Sequence, residues 1–254
     1  MSDLAGIVLA AGEGKRLRPL TADIPKALAP IGGGWTILDV ALSNLRAAGI
    51  EEVFVVVGYA AEAIERRVSD LEAAHGVRLG LVANDRALDW NNAYSLWLAR
   101  EHFARGAMVV NGDTVHPVAV EQRMLAARGP GVLIALDDVK VLAEEEMKVV
   151  LEDGRLARIT KEMEPARAHG EYIGVTLIEP SAAADLAEAL ERTWRADPSL
   201  YYEDGFQAYA DAGGEVRTVS VGGLDWVEVD TPADLERART LGIAPAPAPA
   251  REAR

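Results

Sequence analysis

The apolar stretch Leu4-Ala-Gly-Ile-Val-Leu9 runs directly into the loop sequence Ala10-Ala-Gly-Glu-Gly-Lys-Arg-Leu17 near the start of the chain. A short aliphatic run without polar alternation is typical of a strand that is buried on both faces of a sheet. A glycine-containing loop after such a strand lies at the sheet edge where open α/β folds bind their ligands. Glycine lets the backbone approach a ligand closely and leaves N–H groups free for phosphate oxygens. Together the two segments predict an α/β fold with an anion-binding loop after its first strand.

The first half of the chain alternates between strand and helix patterns. Residues 53–57 form a continuous valine-rich run, whereas residues 37–48 have helical spacing and stop at Gly49. Strands are predicted at residues 4–9, 53–57, 78–83, 107–110 and 132–136, and helices at residues 37–48, 60–74, 92–103 and 118–127. This alternation predicts a single Rossmann-like α/β/α domain, in which helices cover both faces of a mostly parallel sheet.

The second half of the chain has more strand patterns. Residues 147–151 and 155–160 flank Asp153-Gly154, which predicts a β-hairpin with a tight turn. Further strands are predicted at residues 172–178, 217–221 and 226–229, and helices at residues 181–194, with Ser181 as N-cap, and 232–241. We expect this β-rich half to form a lid on the domain, which spans residues 1–243. The Ala/Pro-rich tail, residues 244–254, has nothing to bury and is predicted to be disordered.

The composition excludes several classes of protein. The 254 residues carry a net charge of −14, so we expect neither nucleic acid nor a membrane surface as a partner. The absence of cysteine excludes disulfides and thiolate metal sites and fits a reducing cytoplasm, where we expect the protein. No apolar stretch reaches the roughly 18 residues of a membrane span, and the N-terminus lacks the basic segment of a signal peptide. The sequence leaves open whether the chain forms a homo-oligomer.

Two known glycine motifs do not fit the loop after the first strand. A dinucleotide-binding fingerprint requires a third glycine where the chain has Leu17, which opposes a dinucleotide-dependent oxidoreductase. A P-loop requires serine or threonine after the Gly-Lys pair, where the chain has Arg16. The alternative of a plain glycine turn with solvated charges is weakened, because Arg16, Arg18 and Lys26 gather cations in a chain that has few of them.

The first thirty residues resemble a known family. The run Leu9-Ala-Ala-Gly-x-Gly-x-Arg-Leu-x-Pro-Leu-Thr21, followed by Pro25-Lys26-Ala-Leu28, is similar to the signature of the sugar-phosphate nucleotidyltransferases. The resemblance implies that the Ala-Ala-Gly backbone holds the base of an NTP, that the signature arginine binds its pyrophosphate portion, and that the Pro-Lys lysine binds the α-phosphate region. The implied residues are Ala10, Ala11, Gly12 and Gly14 for nucleotide binding and Arg16 and Lys26 for catalysis.

Two aspartates at strand ends are candidates for a metal site. Asp113 follows a predicted parallel strand, and Asp230 ends the segment Trp226-Val-Glu-Val-Asp before a helix start. Carboxylate oxygens are the ligands that Mg²⁺ prefers, although either aspartate could instead cap a helix. The family has a metal aspartate in both contexts, so the resemblance implies Asp113 and Asp230 as the Mg²⁺ pair, with Glu228 as a weaker candidate. The spacing of the four histidines suits no zinc site, and we expect them in loops or on the surface.

The middle of the chain resembles the phosphocholine cytidylyltransferase-like branch of that family. The similar segments are Asn91-Asn-Ala-Tyr-Ser-Leu-Trp97, Glu146-Met-Lys-Val149, Gly170-Glu-Tyr-Ile-Gly174 and Tyr202-Glu-Asp204. The resemblance implies that the acceptor contacts Lys161, Glu171, Gly174 and Asp204. Tyr94 and Trp97 stand at helical i, i+3 spacing, which favours a packing role over a ligand contact.

The chemical nature of the acceptor stays open. A quaternary amine would be recognised by aromatic faces and an acidic residue. The aromatic and acidic residues that could supply such a site occur near two loops but do not define a cage: Trp90, Tyr201, Tyr202, Glu203 and Asp204. A polyol would use the same two acidic residues as acceptors for its hydroxyl groups. The segment Asn111-Gly-Asp-Thr114 looks more like the sugar-nucleotide branch.

The sequence thus predicts a Mg²⁺-dependent nucleotidyltransferase with a β-rich acceptor lid. It would transfer a nucleoside monophosphate, with CMP favoured, from an NTP to a phosphorylated alcohol such as phosphocholine or a cyclitol phosphate, releasing pyrophosphate. The alternatives are a sugar-1-phosphate thymidylyl-, uridylyl- or guanylyltransferase and a non-catalytic nucleotide-sensing domain. A sensing domain would be expected to have lost residues of the catalytic set, yet all four are intact: Arg16, Lys26, Asp113 and Asp230.

Overall fold

The computed structural model describes residues 3–243, in which strands and helices alternate through the first half. The thirteen strands among these residues are β1 (Ala5–Leu9), β2 (Pro30–Gly32), β3 (Trp35–Thr36), β4 (Glu52–Val57), β5 (Arg78–Ala83), β6 (Ala107–Asn111), β7 (Thr114–Val115), β8 (Val132–Asp137), β9 (Lys148–Glu152), β10 (Arg155–Thr160), β11 (Gly170–Ile178), β12 (Val216–Ser220) and β13 (Val227–Glu228). The eight α-helices in the same range are α1 (Ile37–Ala47), α2 (Ala61–Glu65), α3 (Val68–His75), α4 (Asn92–Leu98), α5 (Ala119–Ala126), α6 (Ala183–Ala196), α7 (Tyr202–Asp211) and α8 (Pro232–Thr240).

A nine-stranded sheet in the order β5-β4-β1-β6-β11-β8-β12-β10-β9 forms the centre of the fold. β1 pairs in parallel with β4 and β6, β4 with β5, and β8 with β12. β11 is antiparallel to β6 and β8, and β10 is antiparallel to β12 and β9. All strands of this sheet except β10 and β11 therefore run in one direction, which confirms the predicted α/β fold with a mostly parallel sheet.

Apolar residues cover both faces of the sheet, because successive side chains of a strand point to opposite faces. In β1, Val8 belongs to one core cluster and Ile7 to another, and both are fully buried. Leu38 and Leu42 of α1 pack in the cluster of Val8, whereas Leu186 of α6 packs in that of Ile7. The continuous apolar runs of the sequence are thus explained by helices on both faces, as the α/β/α prediction requires.

The predicted hairpin joins β9 and β10 at one edge of the sheet. Its two turn residues have positive φ angles, 49° for Asp153 and 75° for Gly154, as a type I′ turn requires. Met147 and Lys161, which flank the hairpin at its two ends, line a cavity of about 280 Å³. The β-rich half therefore borders the site, as predicted for a lid.

Some elements differ from the sequence prediction. The helix predicted at residues 60–74 is two helices, α2 and α3, and Ser181 does not cap α6, which begins at Ala183. The Ser181 hydroxyl instead accepts from the Gly131 N–H at 3.4 Å. Helix α7 was not predicted, because it contains Gly205, a residue that disfavours helix interiors. Glycine is needed there, since a Cβ at Gly205 would lie 2.5 Å from the Leu190 side chain of α6.

The expectation that the histidines lie in loops or on the surface is wrong for His75 of helix α3, whereas His116 lies in a loop but is buried. His75 is buried, and its Nε2 lies 2.8 Å from Asp39 Oδ1, so a carboxylate partner compensates the burial. His116 is fully buried between β7 and α5, and burial lowers its pKa to about 4, so it is neutral at physiological pH. Both histidines are therefore core residues.

None of the helices in residues 3–243 is long and apolar enough to span a bilayer. The tail predicted to be disordered, residues 244–254, lies outside the described residues. The organisation of residues 1–243 as a single domain stays a prediction.

Candidate active site

Three carboxylates, Asp113, Glu228 and Asp230, meet at the carboxyl end of the parallel strands. Asp113 follows β6, and next to it the short strands β7 and β13 pair, with Thr114 opposite Glu228. The Val229 N–H donates to the backbone carbonyl of Asp113 at 2.8 Å, which ties the two segments together. Oxygen atoms of the three carboxylates lie within 4.8 Å of one another. The β7–β13 pairing thus builds one acidic cluster from residues that are far apart in the sequence.

Two basic side chains from the N-terminal loop reach this acidic cluster. Lys26 Nζ donates to Asp113 Oδ2 at 3.0 Å and also to Asp230. Arg16 Nη2 donates to Asp230 Oδ2 at 2.6 Å. Lys26 is only 9% exposed, whereas Arg16 is exposed. The structure therefore brings together all four residues of the predicted catalytic and metal set.

The loop after β1 holds Lys26 against the edge of the sheet. The Lys26 N–H donates to the Gly12 carbonyl at 3.2 Å, and the Thr21 hydroxyl donates to the Gly14 carbonyl at 2.8 Å. Gly14 has a φ of 66°, and a Cβ there would lie 2.9 Å from Lys26 Cβ. Glycine at position 14 is thus required by its backbone conformation and by the place of the lysine stem.

The charges of the cluster shift pKa values in opposite directions. Burial alone would lower the pKa of Lys26, but the negative charges of Asp113 and Asp230 outweigh it and hold the pKa above its ordinary value. Burial would raise the pKa of Asp230, but Lys26 and then Arg16 hold it below its ordinary value. Burial, followed by the charges of Asp113 and Asp230, raises the pKa of Glu228 to about 7. At neutral pH the lysine and Asp230 are therefore charged, whereas Glu228 is close to its titration point.

A cavity of about 280 Å³ opens beside the charged cluster. Ala11 and Gly12 line it on the side of the loop, and Lys161 and Gly174 line it on the side of β10 and β11. Gly174 has a φ of 83°, and a Cβ there would lie 2.6 Å from Asn111 Nδ2. Glycine at this position thus allows β11 to approach the end of β6 and to shape the cavity wall.

A second cavity, of about 540 Å³, adjoins the first. Its wall includes Lys140, Glu171 and Trp226, which do not line the first cavity. Four charged residues line both cavities, namely Arg16, Lys161, Glu228 and Asp230. Two small ligands could therefore approach the same charged residues from two sides.

Comparison with known proteins identifies the family. A family model described as nucleotidyl transferase matches residues 5–238. The chain belongs to the nucleotidyl transferase family. The family resemblance found in the first thirty residues is thereby confirmed, and the match extends through both halves of this nucleotidyl transferase.

Similar proteins include cytidylyltransferases. A bifunctional IPC transferase and DIPP synthase of Aquifex aeolicus is 27% identical over 233 residues, which are 92% of this chain and 50% of the relative. A choline-phosphate cytidylyltransferase of Streptococcus pneumoniae is 37% identical over 110 residues, 43% of this chain and 44% of the relative. The inositol-1-phosphate CTP transferase of T. maritima shares the fold, with a TM-score of 0.79 at 22% identity over 96% of this chain and 99% of that one. The chain spans about half the length, or less, of the first curated relatives that it matches.

The predicted nucleotide-binding residues of this nucleotidyl transferase occupy different places. Ala11 and Gly12 line the first cavity, and a Cβ at Gly12 would meet nothing within 4 Å. Ala10 is 3% exposed, and its N–H donates to a carbonyl of β4 at 2.9 Å. Ala10 and Gly14 are not among the residues that line the cavity, because one packs in the core and the other packs against Lys26. Both residues thus shape the loop, and their contact with a nucleotide stays a prediction.

The predicted acceptor residues separate into two groups. Lys161 and Gly174 line the first cavity, whereas Glu171 lines the second, where its Oε2 accepts from Lys140 Nζ at 2.7 Å. Burial raises the pKa of Glu171 to about 7 despite this lysine. Asp204 lines neither cavity, since its Oδ2 accepts from the Tyr201 N–H at 2.8 Å at the start of α7. Asp204 therefore caps the start of α7, and its contact with the acceptor stays a prediction.

The Asn-Asn-x-Tyr-Ser segment connects helices below the first cavity. Asn92 Oδ1 accepts from the Tyr202 N–H at 2.9 Å, and Asn91 Nδ2 donates to the Ser199 carbonyl at 2.9 Å. Both asparagines also line the cavity. This segment therefore fixes the start of α7 relative to α4.

The aromatic residues near this segment form a cluster of their own. The ring centroids of Tyr94 and Trp97 lie 5.2 Å and 5.0 Å from that of Trp194, and Trp90 stacks on Trp194 at 5.5 Å. None of the four lines either of the two cavities described above. The packing role favoured for Tyr94 and Trp97 agrees with this arrangement, and Trp90 does not contribute to a ligand cage.

Sequence reasoning did not assign a role to Lys148, which the structure buries completely. Its Nζ donates to three backbone carbonyls, those of Glu144 at 2.5 Å, Glu146 at 3.0 Å and Lys161 at 2.7 Å. The lysine thus ties the segment before β9 to the residue after β10, and it holds the backbone of Lys161. The only signal for this lysine in the sequence is the Glu-Met-Lys-Val segment, whose family resemblance implies no contact for Lys148.

Proposed function

We propose that the protein transfers CMP from CTP to a phosphorylated alcohol and releases pyrophosphate. The observation that carries this proposal is the contact of Arg16 and Lys26 with Asp113 and Asp230, beside two cavities that Arg16 and Asp230 both line. The similarity to a choline-phosphate cytidylyltransferase and to an inositol-1-phosphate CTP transferase supports CTP as the donor and a phosphorylated alcohol as the acceptor.

In the proposed reaction, an acceptor phosphate oxygen attacks the α-phosphorus of CTP, and the bond from that phosphorus to the pyrophosphate oxygen breaks. The attacking oxygen is already ionised at neutral pH, so no general base is required, and catalysis consists mostly of positioning and charge neutralisation. Lys26 is cationic and fixed, which suits it to neutralise charge on the reacting phosphate. Arg16 is exposed, which suits it to hold the leaving pyrophosphate, and Lys161 would bind the acceptor phosphate.

The proposal includes Mg²⁺, whose preferred ligands are carboxylate oxygens. Asp113 and Asp230 would hold the ion, with Glu228 as a third ligand. Asp113 Oδ1 is buried and has no hydrogen-bond partner among residues 3–243, which is a suitable environment for a cation. When bound, the ion would supply additional positive charge at the phosphates.

Other parts of the prediction belong to the same proposal. The reaction would take place in the cytoplasm, and the partners would be CTP and the small acceptor, without nucleic acid or membrane. A sugar-1-phosphate nucleotidyltransferase is the alternative within the family, and a non-catalytic nucleotide-sensing domain is the alternative outside catalysis. The mutual contacts of Lys26 with Asp113 and Asp230 favour an enzyme over a sensor.

The test is a matrix of NTPs against phosphorylated acceptors, with pyrophosphate release as the readout. The NTPs are CTP, UTP, GTP, ATP and dTTP, and the acceptors are phosphocholine, inositol 1-phosphate and glucose 1-phosphate. We expect release with CTP and a phosphorylated alcohol, loss of release with EDTA, and recovery with excess Mg²⁺. Release only with glucose 1-phosphate would support the sugar alternative. Nucleotide binding without release in any pair would overturn the enzyme proposal and support the sensing domain.

A further inference from the structure

Glu203 is a buried carboxyl group that faces the first cavity without a complete set of partners. It lies in the first turn of α7, is 5% exposed, and lines the cavity. Its Oε2 has no hydrogen-bond partner among the described residues. A buried polar atom without a partner destabilises the ligand-free protein, so a ligand group that satisfies it would gain affinity.

The residues around Glu203 argue against a cationic ligand group at this position. The cavity wall near it includes Tyr172, Tyr201 and Lys161, and Lys161 Nζ lies 5.2 Å from the centre of the Tyr201 ring. The charge of Lys161 acts on Glu203, as does that of Glu228 with the opposite sign. A permanently cationic ligand group would therefore compete with Lys161 for the aromatic face and be repelled by its charge.

The protonation state of Glu203 points in the same direction. Burial raises its pKa to about 8, ahead of the opposing contribution of Lys161. The group is therefore mostly neutral at pH 7 in the ligand-free protein. A protonated carboxyl group offers one O–H donor and one carbonyl acceptor, which matches a hydroxyl group better than an ammonium group.

We propose that Glu203 selects the acceptor by hydrogen bonding to a hydroxyl group on its alcohol part, while Lys161 binds its phosphate. This inference rests on the proposed function, because it places the acceptor on the side of the first cavity that Lys161 and Gly174 line. The acceptor would then be a phosphorylated polyol and not phosphocholine. The carboxyl group that selects the acceptor would be that of Glu203 and not that of Asp204.

The test measures binding of two phosphates that differ only in their hydroxyl groups. Inositol 1-phosphate and cyclohexyl phosphate are titrated calorimetrically into the full chain, with and without a non-hydrolysable CTP analogue, and phosphocholine is the third probe. Wild type is compared with Glu203→Leu, which removes the carboxyl at similar volume, and with Glu203→Gln, which keeps a hydrogen-bonding group. Asp204→Asn is the matched control, because the neighbouring side chain caps α7 and lines neither cavity.

We expect Glu203→Leu to weaken binding of inositol 1-phosphate about 10- to 100-fold, since a site built for a hydroxyl is lost. The affinity of Glu203→Leu for cyclohexyl phosphate should change less than about threefold. The affinities of Glu203→Gln and Asp204→Asn for inositol 1-phosphate should stay within about fivefold of the wild-type affinity. Thermal unfolding of each variant shows whether the fold is kept. If Glu203→Leu unfolds, the more flexible Glu203→Met carries the test, with the same selective loss expected for the polyol phosphate.

Three results would overturn the proposal. They are equal losses for the two ring phosphates, no loss for either, and tighter binding of phosphocholine than of inositol 1-phosphate by the wild type. Binding does not depend on turnover, so the two proposals fail separately. Polyol selectivity through Glu203 without pyrophosphate release would overturn only the proposed reaction, and CMP transfer without this selectivity would overturn only the role of Glu203.

Discussion

The two sides of the cleft hold their charges in different ways. On the donor side, Lys26 is paired with Asp113 and Asp230, and the pairing keeps Lys26 and Asp230 ionised. On the acceptor side, Glu203 lies buried with an unpartnered oxygen, and burial raises its pKa until it is mostly protonated at pH 7. Ion pairing keeps residues on the donor side charged for phosphate chemistry. Protonation makes Glu203 on the acceptor side a neutral group, which can select a ligand by hydrogen bonding. Variants on the donor side should therefore change rates, and variants on the acceptor side should change affinity and pH dependence.

The largest effect is expected when a carboxylate is removed on the donor side. Asp113→Asn or Asp230→Asn should lower kcat about 10³-fold with the fold intact, because several kcal/mol of charge stabilisation at the metal would be lost. Initial rates of pyrophosphate release measure kcat, and thermal unfolding shows whether the fold is intact. Asp89→Asn, at an exposed position that lines neither cavity, is the control. A rate within threefold of wild type would remove that aspartate from the site.

The next effect concerns the cation that faces these carboxylates. Lys26→Met should lower kcat by about 10²- to 10³-fold, the usual cost of losing one charged contact to a reacting group. Lys15→Met is a close control, since Lys15 belongs to the same loop but its side chain is 73% exposed and pairs with Glu13. Steady-state kinetics with CTP and the acceptor make the comparison. Similar losses in the two variants would show that the loop acts through its general charge.

A smaller effect is expected from the buried lysine on the acceptor side. Lys148→Met leaves three backbone carbonyls without their donor, so the acceptor KM should rise about tenfold and the free energy of unfolding should fall by about 2 kcal/mol. The KM for CTP should stay unchanged, because Lys148 holds the backbone of Lys161 and not the loop after β1. A parallel rise in both KM values would instead indicate a general loss of structure.

The smallest effect is a dependence of stability on pH. The pKa of Glu203 is about 8 in the folded protein, against an ordinary value of 4.5. Its contribution to the free energy of unfolding is therefore complete below about pH 4.5 and is lost as the pH rises through 8. Glu203→Gln cannot ionise, so its stability relative to wild type should increase by about 1–2 kcal/mol between pH 6.5 and pH 8. Urea unfolding of the nucleotide-free proteins measures this, and parallel pH curves would contradict the buried, protonated state.

Much of the donor side could be predicted from the sequence. Residues 4–28 contain the strand, the loop, Arg16 and Lys26 in one continuous segment, so their proximity follows from chain connectivity. Asp113 could be placed because the carboxyl ends of parallel strands meet at one edge of a sheet. Apolar runs and helical spacing predicted most elements for a similar reason, since periodicity reports which faces are buried.

Only the tertiary structure decided which residues of each segment face the site. The 3.6-residue turn of α7 points Asp204 to the start of its own helix and leaves Glu203 in the cavity wall, a difference of one position that helix packing alone determines. The β7–β13 pairing brought Glu228 and Asp230 to Asp113, and the sheet edge buried Lys148 under three carbonyls. The sequence by itself determined the fold class and the charges of the donor loop, because those depend on local pattern. The acceptor side depends on contacts between distant segments, and these exist only once the chain is folded.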